Sequence, residues 1–212
     1  MNTIRVLLVD DHALVRMGFR LLLQECTDIE VAGEAESGEA ALAQYPALAP
    51  VLVVMDISMP GMGGLETVTR LLTKYPDAQI LVLSAHEDSI HPTRLLRAGA
   101  KGYLSKRSAP EQLIQAIREV HAGRRYLDPA LAQAMALQQF TGEKNPVELL
   151  TNREFEVFMA LARGQSVVRI AATLFLSPRT VGTHLYNIKQ KLGAENAAEL
   201  TLIAMHNGLL ER

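Results

Sequence analysis

This 212-residue chain has no tryptophan, one cysteine (Cys26) and aromatics at only 5% of its residues. A lone cysteine excludes a disulfide framework and any Cys-based zinc site, and fits a reducing compartment. No apolar run approaches the roughly 18–20 residues that span a bilayer. The stretch MNTIRVLLVDDH reaches acid by residue 10, so it reads as neither signal peptide nor membrane anchor. No membrane partner and a cytoplasmic location are the expectation. Neither G-x-x-x-x-G-K-[ST] nor G-x-G-x-x-G occurs, so the phosphate-cradling loops of nucleotide-binding proteins are missing. A strong charge of either sign is missing too. The formal net charge of −2 argues, on its face, against a nucleic-acid partner.

What is present is an ordinary globular composition, 49% hydrophobic and 21% charged. The length amounts to about one and a half domains of roughly 150 residues. The charge is unevenly spread. Residues 1–121 carry 11 basic and 15 acidic side chains, whereas 148–212 carry 7 and 6. Between Arg163 and Lys191 stand Arg163, Arg169, Arg179, Lys189 and Lys191 with no acid among them. That asymmetry points weakly to nucleic acid.

Residues 1–121 alternate short apolar runs with helical patterns. The runs are 4–9, 29–31, 51–55, 80–83 and 102–104, and the helical patterns are 13–24, 39–45, 65–74, 90–98 and 110–121. Such alternation predicts a doubly wound, flavodoxin-like α/β domain, a five-stranded parallel sheet of order 2-1-3-4-5. Ligands of such sheets gather at the carboxyl ends of the strands. There the sequence places Asp10, Asp11, Asp56, Ser84 and Lys106. Converging carboxylates repel unless compensated, and a hard cation such as Mg²⁺ is the natural compensation. Metal, lysine and hydroxyl around one nucleophilic carboxylate make a site for a transferring phosphoryl group. A single strand-terminal Asp is ordinarily a cap or turn residue; the convergence favours chemistry. An aspartate-nucleophile phosphatase needs a second Asp two residues on, and that position is Ser58.

Leu8-Val9-Asp10-Asp11, Met55-Asp56-Ile57-Ser58-Met59-Pro60-Gly61, Ser84-Ala85 and Gly102-Tyr103-Leu104-Ser105-Lys106 resemble the receiver domain of two-component response regulators. The resemblance implies that Asp56 accepts phosphate from a histidine kinase. It implies that Asp11, Asp56 and the Ser58 backbone carbonyl hold Mg²⁺, with Asp10 assisting through water. Ser84 and Lys106 would contact phosphoryl oxygens, and Tyr103 would turn inward as Ser84 moves. Arg107 stands where many receivers have proline, as is common in the NarL/FixJ branch.

A linker is expected over 122–146, carrying a helix over 128–139 that Asp128 and Pro129 open. From 147 to 212 the pattern is all-helical. Thr151 and Glu154 form a capping box, and helices follow at 167–175, 179–192 and 197–206. Two short helices and a tight turn before a longer polar, basic helix form the helix-turn-helix pattern. Val181, Leu185, Ile188 and Leu192 face inward; Thr180, Thr183, His184, Tyr186, Asn187, Lys189, Gln190 and Lys191 stand opposite, able to reach bases or phosphates. The bland alternative is a solvated bundle that docks a protein partner.

Leu150-Thr151-Asn152-Arg153-Glu154, Leu176-Ser177-Pro178-Arg179-Thr180-Val181 and Lys191-Leu192-Gly193 resemble the LuxR-type DNA-binding domain over 147–212. By that resemblance Gly182, Thr183 and Tyr186 sit at base contacts, and Arg179, Lys189 and Lys191 at phosphates. Gly182 departs from the lysine often found there. Receiver plus LuxR-type reader is the NarL/FixJ class, and GAKGYLSKRSAPEQLIQAIREV and RRYLDPALAQAMALQQ look close to the GacA/UvrY branch. The expected role is transcription regulation rather than enzymatic turnover. The implied partners are a sensor histidine kinase, double-stranded DNA, a second copy when phosphorylated, and RNA polymerase.

Overall fold

The structure is a computed structural model that describes residues 3–84, 90–141, 146–207 and 209–210. Ala85 of the Ser84-Ala85 motif and residues 142–145 of the expected linker lie outside them. The chain forms two compact units, Met1–Ala134 and Met135–Arg212.

In the first unit, β1(Ile4–Val9), β2(Ile29–Ala35), β3(Leu52–Asp56), β4(Gln79–Ser84) and β5(Gly102–Ser105) alternate with α1(Ala13–Gln24), α2(Gly38–Leu48), α3(Gly64–Lys74), α4(Ile90–Arg97) and α5(Pro110–His121). The sheet order is β2-β1-β3-β4-β5-β6, all parallel. This corrects the expected strand count, because a sixth strand, β6(Tyr126–Leu127), pairs with β5. Two residues are too short to carry a periodicity, so the sequence pattern could not reveal it. Tyr126 donates its N–H to the Lys101 carbonyl, and Asp128 to that of Tyr103, so the sheet continues past residue 121.

Alternation along the strands builds two cores. Ile4, Val6, Leu8, Leu52, Val54, Leu81, Leu83 and Leu104 pack with Leu23 of α1 and with Leu113, Ala116, Ile117 and Val120 of α5. The alternate residues, Leu7, Val9, Val53, Met55, Ile80 and Val82, are buried on the other face. Cys26 is a half-buried thiol against the first of these cores. In α1 only part of the apolar pattern faces inward. Val15, Phe19, Leu22 and Leu23 line the sheet side, but Leu14 and Leu21 are 80% and 55% exposed. Both sets satisfy helical spacing, so spacing alone did not separate the inner stripe from the outer one.

In the second unit a 3₁₀ turn, Pro146–Leu149, precedes α7(Asn152–Ala162), α8(Val167–Thr173), α9(Pro178–Leu192) and α10(Ala197–His206). The linker helix α6(Pro129–Thr141) spans the boundary between the units. The capping box is formed: Glu154 N–H donates to Thr151 Oγ1, and Thr151 N–H to Glu154 Oε2. Ser166, Ser177 and Asn196 cap α8, α9 and α10. Phe155, Phe158, Ile170, Val181, Ile188 and Leu200 form the buried centre. Helix α8 ends two residues before its expected limit, because Phe175 takes φ +52 and turns the chain toward α9.

Candidate functional sites

Parallel strands end on one rim of the sheet, and this collects the polar residues that follow them. Asp10 and Asp56 are 3% and 1% exposed. Lys106 Nζ lies 2.6 Å from Asp10 Oδ2 and 2.8 Å from Asp56 Oδ2, bridging the two carboxylates. Its backbone N–H donates to the Ser84 carbonyl at 2.7 Å, tying the turn after β5 to the end of β4. Asp10 Oδ1 accepts from His12 N–H at 2.8 Å, and Asp56 Oδ1 from Ser58 N–H at 3.1 Å. Arg16 donates to the Asp10 carbonyl at 2.5 Å.

Burial pushes the Asp56 carboxyl above its ordinary range, against the pull of the Lys106 ammonium and the Ser58 N–H, and the Asp10 charge adds to the rise. Burial also acts to lower the Lys106 ammonium. Its hydrogen bonds to Asp10 and Asp56 outweigh that and hold it above the usual lysine range.

Asp10, Asp11, His12 and Asp56 each offer a ligand atom within 4.8 Å of the others. Asp11 Oδ1 is buried and, although His12 Nδ1 is near it, forms no hydrogen bond of proper geometry. A carboxylate-rich set with an oxygen left over suits a hard divalent cation, so these residues fit Mg²⁺. His12 opens α1, and its Nδ1 lies 2.9 Å from Asp11 Oδ1. Ser84 is fully buried at the end of β4, in register with Ser105. Tyr103 is also buried, at 1% exposure.

On α9 the outward face holds Arg179, Thr180, Thr183, Tyr186 and Gln190, with Gly182, Asn187 and Lys189 half-buried. Tyr186 is 65% exposed. The far edge is different. Lys191 Nζ lies 2.5 Å from Glu154 Oε2 of α7. His184, two turns earlier on that edge, is pulled below its ordinary value by burial, with Glu154 and Arg153 acting in opposite directions.

Two family profiles match the chain. Residues 6–118 match the response regulator receiver domain, and 148–204 the bacterial regulatory proteins of the luxR family. Response regulator GacA of Pseudomonas viridiflava is 42% identical over 210 residues, covering 98% of both chains. The chain belongs to the response regulators. UvrY of Escherichia coli K12, another response regulator, is 42% identical over 208 residues, 97% of this chain and 95% of its own. Among solved structures, Salmonella RcsB bound to promoter rprA with a phosphomimetic superposes with TM-score 0.72. It has 25% identity and covers 95% of this chain and 98% of its own. A second RcsB structure gives 0.76 at 26% identity, covering 98% and 99%. This response regulator is a transcription regulator, not a member of an enzyme family, and its relatives lie in the GacA/UvrY branch. Among its described residues no helix is long and apolar enough to cross a membrane.

The structure brings Asp10, Asp11, Asp56 and Lys106 together, as the strand-end reading expects. Two contributors were out of reach of that reading. Arg16 holds the Asp10 backbone from the facing turn of α1, and Glu154 engages Lys191 across 37 positions. The capping-box pattern singled out Glu154 but gave no sign of its second partner.

Proposed function

We propose that Asp56 is the phosphoacceptor of this response regulator, served by a sensor histidine kinase, and that phosphorylation promotes dimerisation and sequence-specific DNA binding through α9. The observation that carries this reading is the Lys106 ammonium set between the buried carboxylates of Asp10 and Asp56. An Asp56 oxygen attacks the phosphorus of a phosphohistidine; the P–N bond breaks and the imidazole leaves with its electron pair, taking a proton from solvent. In this reading the Lys106 ammonium and the Ser84 hydroxyl hold phosphoryl oxygens as charge develops on them. Asp10, Asp11, Asp56 and the Ser58 carbonyl would hold Mg²⁺, which supplies charge neutralisation when bound. Tyr103, buried beside this rim, is the aromatic that would follow Ser84.

In this reading the receiver spans 1–121, the linker 122–146 and the reader 147–212, in a cytoplasmic protein for which RNA polymerase is a further partner. Gly182, Thr183 and Tyr186 face bases, with Thr180 and Asn187 beside them, and Arg179 and Lys189 face phosphates. The test uses the full chain with a radiolabelled small-molecule phosphodonor and Mg²⁺. Wild type takes up label and shifts genomic fragments more strongly when phosphorylated, whereas Asp56→Asn takes up none. Undiminished labelling of Asp56→Asn removes the phosphoacceptor. Labelling without any DNA shift leaves a protein-docking module in place of the DNA reader.

A further inference from the structure

Lys191 lies on the helix that reads DNA, yet the structure gives its charge to another residue. Glu154, in the first turn of α7, is only 4% exposed. Its Oε2 accepts both the Lys191 ammonium at 2.5 Å and the Thr151 N–H at 2.8 Å. The preceding residue, Arg153, reaches the other helix of the motif. One of its guanidinium nitrogens donates to the carbonyl of Leu174, the C-cap residue just after α8, and another bonds Glu156 Oε2 at 2.6 Å. Two consecutive side chains of α7 therefore hold the C-cap of α8 and the last turn of α9.

We propose that Arg153 and Glu154 are positioning residues for DNA reading, fixing the attitude of α9 on α7 through Leu174 and Lys191, and that Lys191 takes no DNA phosphate. A carboxylate as buried as Glu154 cannot be left without its cation cheaply, because a stranded buried charge keeps its full desolvation cost. Releasing Lys191 to a phosphate would strand it. The Lys191 ammonium, bonded to Glu154, works as a strut between α9 and α7. Arg153 does the same for the turn, which carries the left-handed Phe175 immediately after Leu174. The reading face is then set by residues that never touch DNA.

The proposal rests on α9 being the DNA-reading helix, and the test separates the two. Dissociation constants of the phosphorylated full chain on one shifted fragment are measured over a range of salt concentrations, at a temperature where circular dichroism shows every variant folded. Lys189→Ala lowers the slope of log K against log salt by about one, as loss of one phosphate contact requires. Lys191→Met leaves that slope at the wild-type value and weakens binding by about tenfold at every salt concentration. Lys191→Arg, which restores the cation, recovers the affinity. A purely structural role would lower the melting temperature and leave the affinity of the folded protein alone. A slope that falls by about one in Lys191→Met overturns the proposal, as does an affinity within twofold of wild type. Should Lys191→Met fail to fold, the pair Glu154→Gln with Lys191→Gln keeps a neutral hydrogen bond and is judged by the same two criteria. Absence of any wild-type shift would instead overturn the DNA reading itself.

Discussion

Asp56 is held in the folded protein at a cost. Burial raises its carboxyl above the ordinary 3.8, so the folded chain binds that proton more readily than the unfolded one. Stability therefore falls as pH rises from the ordinary value through the raised one. Asp56→Asn removes the charge while keeping the shape. In Mg²⁺-free buffer at pH 7 it is expected to raise the melting midpoint of the first unit by a few degrees, and the difference should shrink in acid. An unchanged or lower midpoint, followed by circular dichroism, would show that Lys106 already offsets the burial. Glu154 behaves oppositely. Burial acts to raise it, but Lys191 and the Thr151 hydrogen bonds bring it below its ordinary 4.5. Its contribution is present above that value and is lost as pH falls through the depressed one.

At the scale of single elements, two glycines separate constraint from tolerance. A Cβ on Gly38, at the start of α2, would sit 1.9 Å from Thr67 Oγ1 of α3. Thr67 is fully buried and donates to the Gly63 carbonyl at 2.6 Å, so it has no room to withdraw. Gly38→Ala is expected to destabilise the first unit by roughly 1–3 kcal/mol. A Cβ on Gly182 meets nothing within 4 Å, and the residue lies inside α9. Gly182→Ala is expected to stabilise the second unit by about 0.5–1 kcal/mol. Urea unfolding of each variant checks the two signs. The same scale shows what the chain disclosed and what it hid. Long elements with a strong pattern, such as α5 and α9, were legible nearly to the residue, and so was the rim of Asp10, Asp11, Asp56 and Lys106. Hidden were β6, too short for a period, the outward stripe of Leu14 and Leu21, and ion pairs such as Lys191 with Glu154. Periodicity reports which residues are apolar; it does not choose between two equally spaced stripes or pair charges far apart in sequence.

For the whole molecule, the net charge of −2 averages a carboxylate-lined rim and the basic helix α9, which occupy different compact units. Separate cores predict separable melting. Calorimetry of the full chain should show Mg²⁺ raising the transition of the first unit alone. A second transition that rises equally would show the units melting together.

The two residues of β6 have a practical bearing on where the chain can be cut. With β6 in place, the carbonyls of Lys101 and Tyr103 on the outer side of β5 are engaged by Tyr126 and Asp128. Asp128 is itself gripped by Ser108, whose hydroxyl donates to its carboxylate at 2.9 Å. A fragment ending at residue 121 loses that cover and presents β5 as a bare, adhesive border, the kind that recruits strands from other molecules. A fragment ending at residue 134 keeps it sealed. Light scattering of the two fragments at equal concentration should find the shorter one self-associating and the longer one monodisperse.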